Sequence, residues 1–554
     1  MICASHPAST PWVVLGLTVV VALTLWVRLA NPTGWLGSDD VGYHSAAEQV
    51  LAGDQIRRIH HHYARMAVIL PVAASMHLFG ESPTTVALPM LIASILCVLV
   101  VAAIGKLVWG WWEGLCAATI VAVLPYFRVL STAGYPDVHV CLWAATATLL
   151  ALLAARSTSR RRCVLLLLAC GFALGLAISA KVYAAPVAAG IAVILWTTGP
   201  RTIRSRLAHA LLVAAGAALF AIVEGSFYHW AAGDFFYTFH AHRQAQSGIE
   251  EIMHPAGAPS AVGFAAFAWH RIAMMFDPAR SGWGWLGCFF WPAIIVTLIA
   301  SRRGRFLGVW AAAMFLTLAV MPIRLADGVQ FTPVFHGRHI LPACIPFALC
   351  LAWLMRCGVQ ATVGPQRLGR AWPVAFAAIV AISLGGRHQL NGFVDRDTSR
   401  VGKAMSQVIA ATNWDENRPI FMTPSTYWRY RILFPQTLRA RLRVAAASDA
   451  PSWWRDVSID IAQRHAVLPD RSQAYLIATP RQLRGETEYW DYGVGLPQER
   501  LASWQEIPPI IGISRYSDKT IGPSGQGDGE GEPLLVLVGG NANAPTTLAG
   551  APGQ

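Results

Sequence analysis

Ser38-Asp39-Asp40-Val41-Gly42-Tyr43 stands directly behind an apolar run, Trp12 to Ala30. Two adjacent carboxylates therefore sit where a membrane-length segment has just ended. A helical pattern follows at once, with Tyr43, Ala47, Val50 and Leu51 on one stripe and Gly53-Asp54 closing it. The spacing predicts a short amphipathic helix, roughly Asp40 to Ala52, capped by the acidic pair and lying near the membrane surface. Two readings of the pair stand side by side. Asp39 and Asp40 are ordinary helix caps, a position that favours Asp, or Asp39 is a catalytic base.

The composition surrounding this stretch selects the class. The chain has 554 residues, 55% hydrophobic and 13% charged. A soluble domain runs near ~25% charged, so these values predict a polytopic membrane protein. The net charge of +13 does not point to nucleic acid. The basic residues cluster between apolar runs, as the positive-inside rule places them. The 22 Trp residues suit interfacial anchoring and a sugar platform. The ten Cys lie in or beside apolar runs, with none in the polar last third, which predicts neither a disulfide framework nor a Cys-based metal site. No Lys or Arg precedes the first apolar run, so it reads as a retained helix rather than a signal peptide.

Further along, a polar loop over 31–66 holds the acidic pair, Arg57-Arg58, His60-His61-His62 and Arg65. Met66–Phe79 is apolar but short. At about 1.5 Å per residue it reaches about 21 Å, less than the ~30 Å hydrocarbon core, so a partial helix is expected there. Apolar segments follow at 84–107, 114–130, 138–155, 164–180, 184–198, 207–224, 285–300, 306–322, 338–355 and 371–386. Lys106 and the Arg clusters around 156–162, 201–206, 302–305 and 356–370 mark one face. With that face cytoplasmic, about eleven spans result and Met66–Phe79 is left out of the count. The acidic pair, Asp137, Lys181, the loops 225–284 and 323–337, and the C-terminal third then share the outer face. The long loop carries Asp234, His240, His242, Arg243, Glu250-Glu251, His254 and Arg271.

From about Gly386 the composition becomes soluble. Apolar runs at 419–422, 474–478 and 534–538 predict buried strands, with helical stretches between them. The expected organisation is a membrane-embedded catalytic domain over 1–386, a small α/β outer-face domain over 387–538, and a disordered tail over 539–554.

A carboxylate that removes a proton and a cation that receives a phosphate are what a transferase needs for a phosphate-activated donor. Arg57, Arg58, Arg65, Lys181, Arg243, Arg271, Arg324 and Arg338 all fall on the same face as the acids. No nucleotide-binding loop of the P-loop or Rossmann kind is present. A donor activated in advance and anchored in lipid needs neither.

Taken in order, these residues resemble the GT-C class of polytopic glycosyltransferases that use polyprenyl-phosphate sugars. The branch containing protein O-mannosyltransferases and lipid A aminoarabinose transferases is the most similar. The resemblance rests on Asp39-Asp40-x-x-Tyr43 and its following helix, Leu78-Phe79-Gly80, Leu88-Pro89, Pro125 with Tyr135-Pro136-Asp137, the Gly-rich run Gly171 to Lys181, and Arg338 with Pro342. It covers about residues 12–355. One departure is Asp40, where the family usually has Glu, one methylene longer.

The resemblance implies a GT-C-like polytopic α-helical fold and an inverting single displacement. Asp39 would be the general base, Asp40 would orient it or hold a cation, and Asp137 would support the same site. Lys181, Arg338, Arg58 and Arg243 are the candidates for the donor phosphate, and Tyr43 and His336 for substrate. Each has a plainer alternative: Asp137 as a helix cap, Lys181 as a snorkelling side chain, Arg338 as an interfacial charge. The His60–His62 run and His240, His242 and His254 read as surface groups rather than ligands. Some family members hold a divalent cation and others do not, so the metal is left open.

The implied partners are a polyprenyl-phosphate-linked sugar, the lipid bilayer, and a glycan, lipid or protein acceptor, with no nucleic acid. The implied location is a bacterial inner membrane, with the site and the C-terminal domain on the outer side. An oligosaccharyltransferase or polysaccharide ligase is the alternative enzyme. A transporter is disfavoured because ionisable residues sit at span ends and no inverted repeat is visible.

Overall fold

A computed structural model describes residues 10–363 except 31, 57–60, 198–201, 244–268, 270–271, 278–282, 320–321, 326–327 and 332–339; beyond these it describes chiefly 374–375, 377–382, 405–406, 409–410, 420–422, 429–444, 458–460, 465–467, 475–478 and 536–538. The chain divides into two compact units. One comprises Met1–Gly34 and Gly42–Val394, the other Trp35–Val41 and Asp395–Gln554.

The first unit is a helical membrane body. Its helices are α1 (Thr10–Leu29), α2 (Asp39–Ala52, which begins in the other unit), α3 (Met66–Phe79), α4 (Pro83–Val108), α5 (Trp111–Val123), α6 (Pro125–Leu130), α7 (Asp137–Ala155), α8 (Arg160–Ala180), α9 (Val187–Thr197), α10 (Ile203–Ala232), α11 (Phe290–Ala300), α12 (Arg305–Ala319) and α13 (Cys344–Val363). Among the described residues six helices are long and apolar enough to cross a bilayer, and five shorter apolar helices accompany them. Every apolar segment expected up to residue 355 contains a helix. In the segment 371–386 the described residues, 374–375 and 377–382, are helical.

Side chains such as Trp12, Leu15, Trp26, Leu211, Ile222 and Ile299 are exposed, as lipid-facing positions must be. The core between helices is Ala-, Val- and Gly-rich. Close approach is enforced where α8 crosses α10. A Cβ added at Gly171 would fall 1.9 Å from the Val213 carbonyl oxygen, and one at Gly216 would fall 2.1 Å from that of Leu168. Lipid tails are as apolar as the helices, so such backbone-to-backbone packing is what holds spans together.

Two local features depart from the simplest sequence reading. The segment expected as one span over 114–130 is broken. Pro125 has no N–H, and Leu124 before it is extended, at φ −60° and ψ 124°. The Ala122 carbonyl beside the break accepts instead from the buried Arg28, at 3.0 Å. The segment expected from 207 to 224 continues as one helix to Ala232, taking in the start of the loop 225–284.

The short helix α3 is tied at both ends. Its Ala67 N–H donates to Ser179 Oγ at the end of α8 (3.4 Å), and Glu81 just past its other end meets His44 of α2 at 2.8 Å. The chain then turns into α4. There Ser82 caps the helix in a reciprocal box with Thr85, ahead of Pro83. A two-stranded hairpin, β1 (Pro322–Leu325) with β2 (Gly328–Phe331), sits within the loop ahead of α13.

The second unit contains a four-stranded sheet. Its strands are β3 (Ile420–Met422), β4 (Leu442–Val444), β7 (Tyr475–Ala478) and β8 (Val536–Val538), in the order β4-β3-β7-β8. β3 is parallel to β4 and β7, and β8 closes the edge antiparallel. β5 (Ser458–Asp460) and β6 (His465–Val467) form a separate hairpin. β3, β7 and β8 lie within the three apolar runs of the sequence; β4 (LRV) is too short and too polar to stand out.

Candidate active site

The acidic pair opens α2. Asp40 is fully buried, and its carboxylate reaches backwards rather than capping the helix. Oδ2 accepts from the amides of Leu36 (2.7 Å) and Gly37 (3.2 Å), and Oδ1 from those of Ser38 (2.6 Å) and Val41 (3.1 Å). Burial pushes the carboxyl up, aided by the neighbouring Asp39, while the amides hold it down; it titrates at about 6. The sequence reading of Asp40 as an ordinary cap is thus replaced by a clasp on the preceding loop.

Within the same unit that loop is pinned by Arg429 and Tyr430. Trp35 Nε1–H donates to the Arg429 carbonyl at 2.6 Å, and the Arg429 guanidinium donates to the Gly37 carbonyl. Gly37 has φ +65°, and a Cβ there would meet the Tyr430 ring at 2.7 Å. Only glycine fits both demands. Asp39, the first residue of the helix, is half-buried.

In the membrane unit, the next turn of α2 presents Tyr43, wholly buried, whose hydroxyl accepts from the Arg65 guanidinium. Arg65 also lies over the Tyr43 ring, 5.5 Å from its centroid. It is 6% exposed, and its Nε has no partner among the described residues. His242, on a short helix at 237–243, is drawn down to about 4 by burial and by the Arg65 charge, so it is neutral at pH 7. Tyr228 donates to the Tyr63 carbonyl at 2.9 Å and stacks on Tyr237, with centroids 4.8 Å apart, bracing the loop that carries Arg65.

Asp137 opens α7, and Lys181 ends α8. Their side chains meet in a buried ion pair at 2.7 Å. Asp137 Oδ2 has no partner among the described residues. The two residues singled out separately in the sequence are therefore one unit, and the charge of Lys181 is already matched by a carboxylate. A second carboxylate, Glu224 of α10, bonds Ser179 two residues before Lys181.

Arg243 is exposed, next to His242 in the chain. Arg58, His336 and Arg338 lie outside the described residues. Asp234 and His240 form a surface pair at 2.7 Å. Sequence reasoning counted Arg65 among the outer-face cations without assigning it a role, and it passed over Glu224. The available signals were an Arg placed directly before an apolar helix and a lone carboxylate inside an apolar run.

Residues 68–223 match the family model of dolichyl-phosphate-mannose-protein mannosyltransferases. Among solved structures, the fold is similar to ArnT from Cupriavidus metallidurans bound to undecaprenyl phosphate, at 14% identity and a TM-score of 0.54, covering 88% of this chain and 96% of that one. It is also similar to the oligosaccharyltransferase of Archaeoglobus fulgidus in its apo form, at 14% identity and a TM-score of 0.50, covering 90% and 72%. No curated protein matches the chain in sequence.

Proposed function

We propose that this chain, which has the GT-C fold of polytopic membrane glycosyltransferases, moves a single sugar from a polyprenyl-phosphate donor to a hydroxyl acceptor on the outer face, with inversion. Asp39 takes the proton of the acceptor hydroxyl. The acceptor oxygen bonds to the anomeric carbon, the bond from that carbon to the phosphate oxygen breaks, and polyprenyl phosphate leaves. General-base help of this kind is worth about 10²–10⁴-fold. The observation that carries the assignment is the engagement of Asp40: with both its oxygens bound to four backbone amides, the base role falls to Asp39.

Arg65 is the cation proposed for the departing phosphate. Its Nε lacks a partner among the described residues, and its guanidinium is held by Tyr43. Lys181, paired with Asp137, is better suited to holding the ends of α7 and α8 together than to binding phosphate. The polyprenyl class of donor is supported by the undecaprenyl phosphate in the ArnT structure and by the matched family's dolichyl-phosphate donor.

Membranes containing the chain or its Asp39→Asn variant, supplied with radiolabelled polyprenyl-phosphate sugars, test the reading. The expected result is transfer by the wild type and a loss of at least about a hundredfold in the variant at equal expression. Near-normal transfer by the variant would rule out Asp39 as the base. The likeness to the Archaeoglobus fulgidus enzyme supports a second reading, transfer of a longer lipid-linked glycan. Turnover only with oligosaccharide donors would select it.

A further inference from the structure

We propose that His44, Glu48 and Glu81 bind a divalent transition-metal ion of the zinc class, clamping α2 to the turn that follows α3. His44 and Glu48 are four residues apart on α2, hence on one face of that helix. Glu81 comes from the turn between α3 and α4. One ligand atom from each of the three lies within 4.8 Å of the others. A tetrahedral ion with bonds of ~2.0–2.2 Å sets its ligands about 3.4 Å apart. Closing the remaining distance takes only rotation of the two glutamate side chains. Each is 31% exposed, so each is able to turn, and water has access to a fourth position.

The histidine supplies an independent argument. Its side chain is 1% exposed, and both ring nitrogens face carboxylates: Nε2 is 2.8 Å from Glu81 and Nδ1 is 3.9 Å from Glu48. An imidazole nitrogen and two carboxylates set around one point are a donor set for a cation, with the ring nitrogen and one oxygen from each glutamate as ligand atoms. Mixed imidazole and carboxylate donors favour zinc over magnesium or calcium, which take oxygen alone.

The clamp has a structural purpose. The His44–Glu81 contact ties the end of α3 to α2. An ion there would brace the helix whose first turn carries Asp39 and Asp40. This inference rests on the three side chains and not on the transferase reading, so either can fail alone.

The full chain purified in detergent, loaded with Zn²⁺, desalted and analysed by elemental mass spectrometry, tests it beside Glu81→Gln and His44→Ala. The expected result is about one retained Zn²⁺ per wild-type chain and at least a tenfold loss of affinity in either variant. Zn²⁺ should raise the unfolding temperature of the wild type and leave that of Glu81→Gln unchanged. Because Glu81 is partly exposed, its Gln variant carries the test where His44→Ala does not fold. A wild type that retains no metal would overturn the proposal and leave the His44–Glu81 hydrogen bond as the tie between α2 and the turn. Full metal retention by Glu81→Gln would also overturn it, placing the ion elsewhere, for instance at the His60–His62 run.

Discussion

Asp40 commits both carboxylate oxygens to the amides of Leu36, Gly37, Ser38 and Val41, in a buried setting that raises its pKa to about 6. An ordinary Asp titrates near 3.8, so the folded protein holds this proton more tightly than the unfolded chain. The stability that Asp40 contributes is therefore fully present below pH 3.8 and is lost as the pH rises through about 6. Thermal unfolding of wild type and Asp40→Asn, compared from pH 4 to 7, should show the wild type losing ground on the variant as the pH rises. A flat or opposite slope would refute the assignment. At pH 4, where the wild type keeps this contribution, the variant should be destabilised by about 1–3 kcal/mol, since the Asn amide nitrogen cannot accept from the loop amides. The Asp137–Lys181 pair behaves differently, because both side chains are buried and removing one leaves the charge of the other in a low-dielectric setting. Asp137→Ala or Lys181→Met should each cost about 3–5 kcal/mol, and the double variant much less than their sum. A strictly additive cycle in denaturant unfolding would mean that the pair is not coupled. From sequence, both residues fell on the same face, but nothing in their local patterns joins positions 44 apart in the chain.

At the scale of elements, the membrane helices follow from a simple constraint. Backbone groups must be satisfied within the segment, and length must match the bilayer, so long apolar runs become helices. The fourteen residues of α3 reach only about 21 Å, short of the ~30 Å hydrocarbon core. What the apolar pattern concealed was the break between α5 and α6. Pro125 sits inside a continuous run of hydrophobic residues, and its missing N–H outweighs their uniform apolarity. Glycine placement is the other hidden determinant. Gly171 and Gly216 bring α8 and α10 into backbone contact, which is why a side chain at either position cannot be absorbed by rotamer change. Gly216→Leu should lower the unfolding temperature and the detergent-stable yield, at a cost of at least the ~1–3 kcal/mol typical of overpacking. Gly358→Ala is the control. It has open space around it inside α13, and the substitution should leave stability unchanged or raise it by up to about 1 kcal/mol.

For the molecule as a whole, the division of the chain is not a division by sequence order. Trp35–Val41 belongs with Asp395–Gln554, so the loop that presents the acidic pair is held by residues some 390 positions away. Arg429→Ala removes the donor to the Gly37 carbonyl, a charge-assisted bond worth about 1.5–3 kcal/mol. Hydrogen exchange of amides 36–38 should accelerate in that variant while exchange in α4 and α7 stays unchanged, and sugar transfer should fall with it. Unchanged exchange at 36–38 would show that the loop is held by Asp40 alone. The sequence by itself determined the positions of the apolar helices, the shortness of α3, the strands β3, β7 and β8, and the order of motifs that resembles the GT-C class. All of these are written in local composition and spacing, which the bilayer and the hydrophobic effect read directly. Only the tertiary structure decided which of two adjacent aspartates is engaged by backbone, that Asp137 and Lys181 neutralise each other, that Arg65 holds Tyr43, and that His44 meets Glu81. Those facts depend on contacts between residues distant in the chain. Their energies arise from burial and hydrogen-bond geometry, which exist only once the helices have packed.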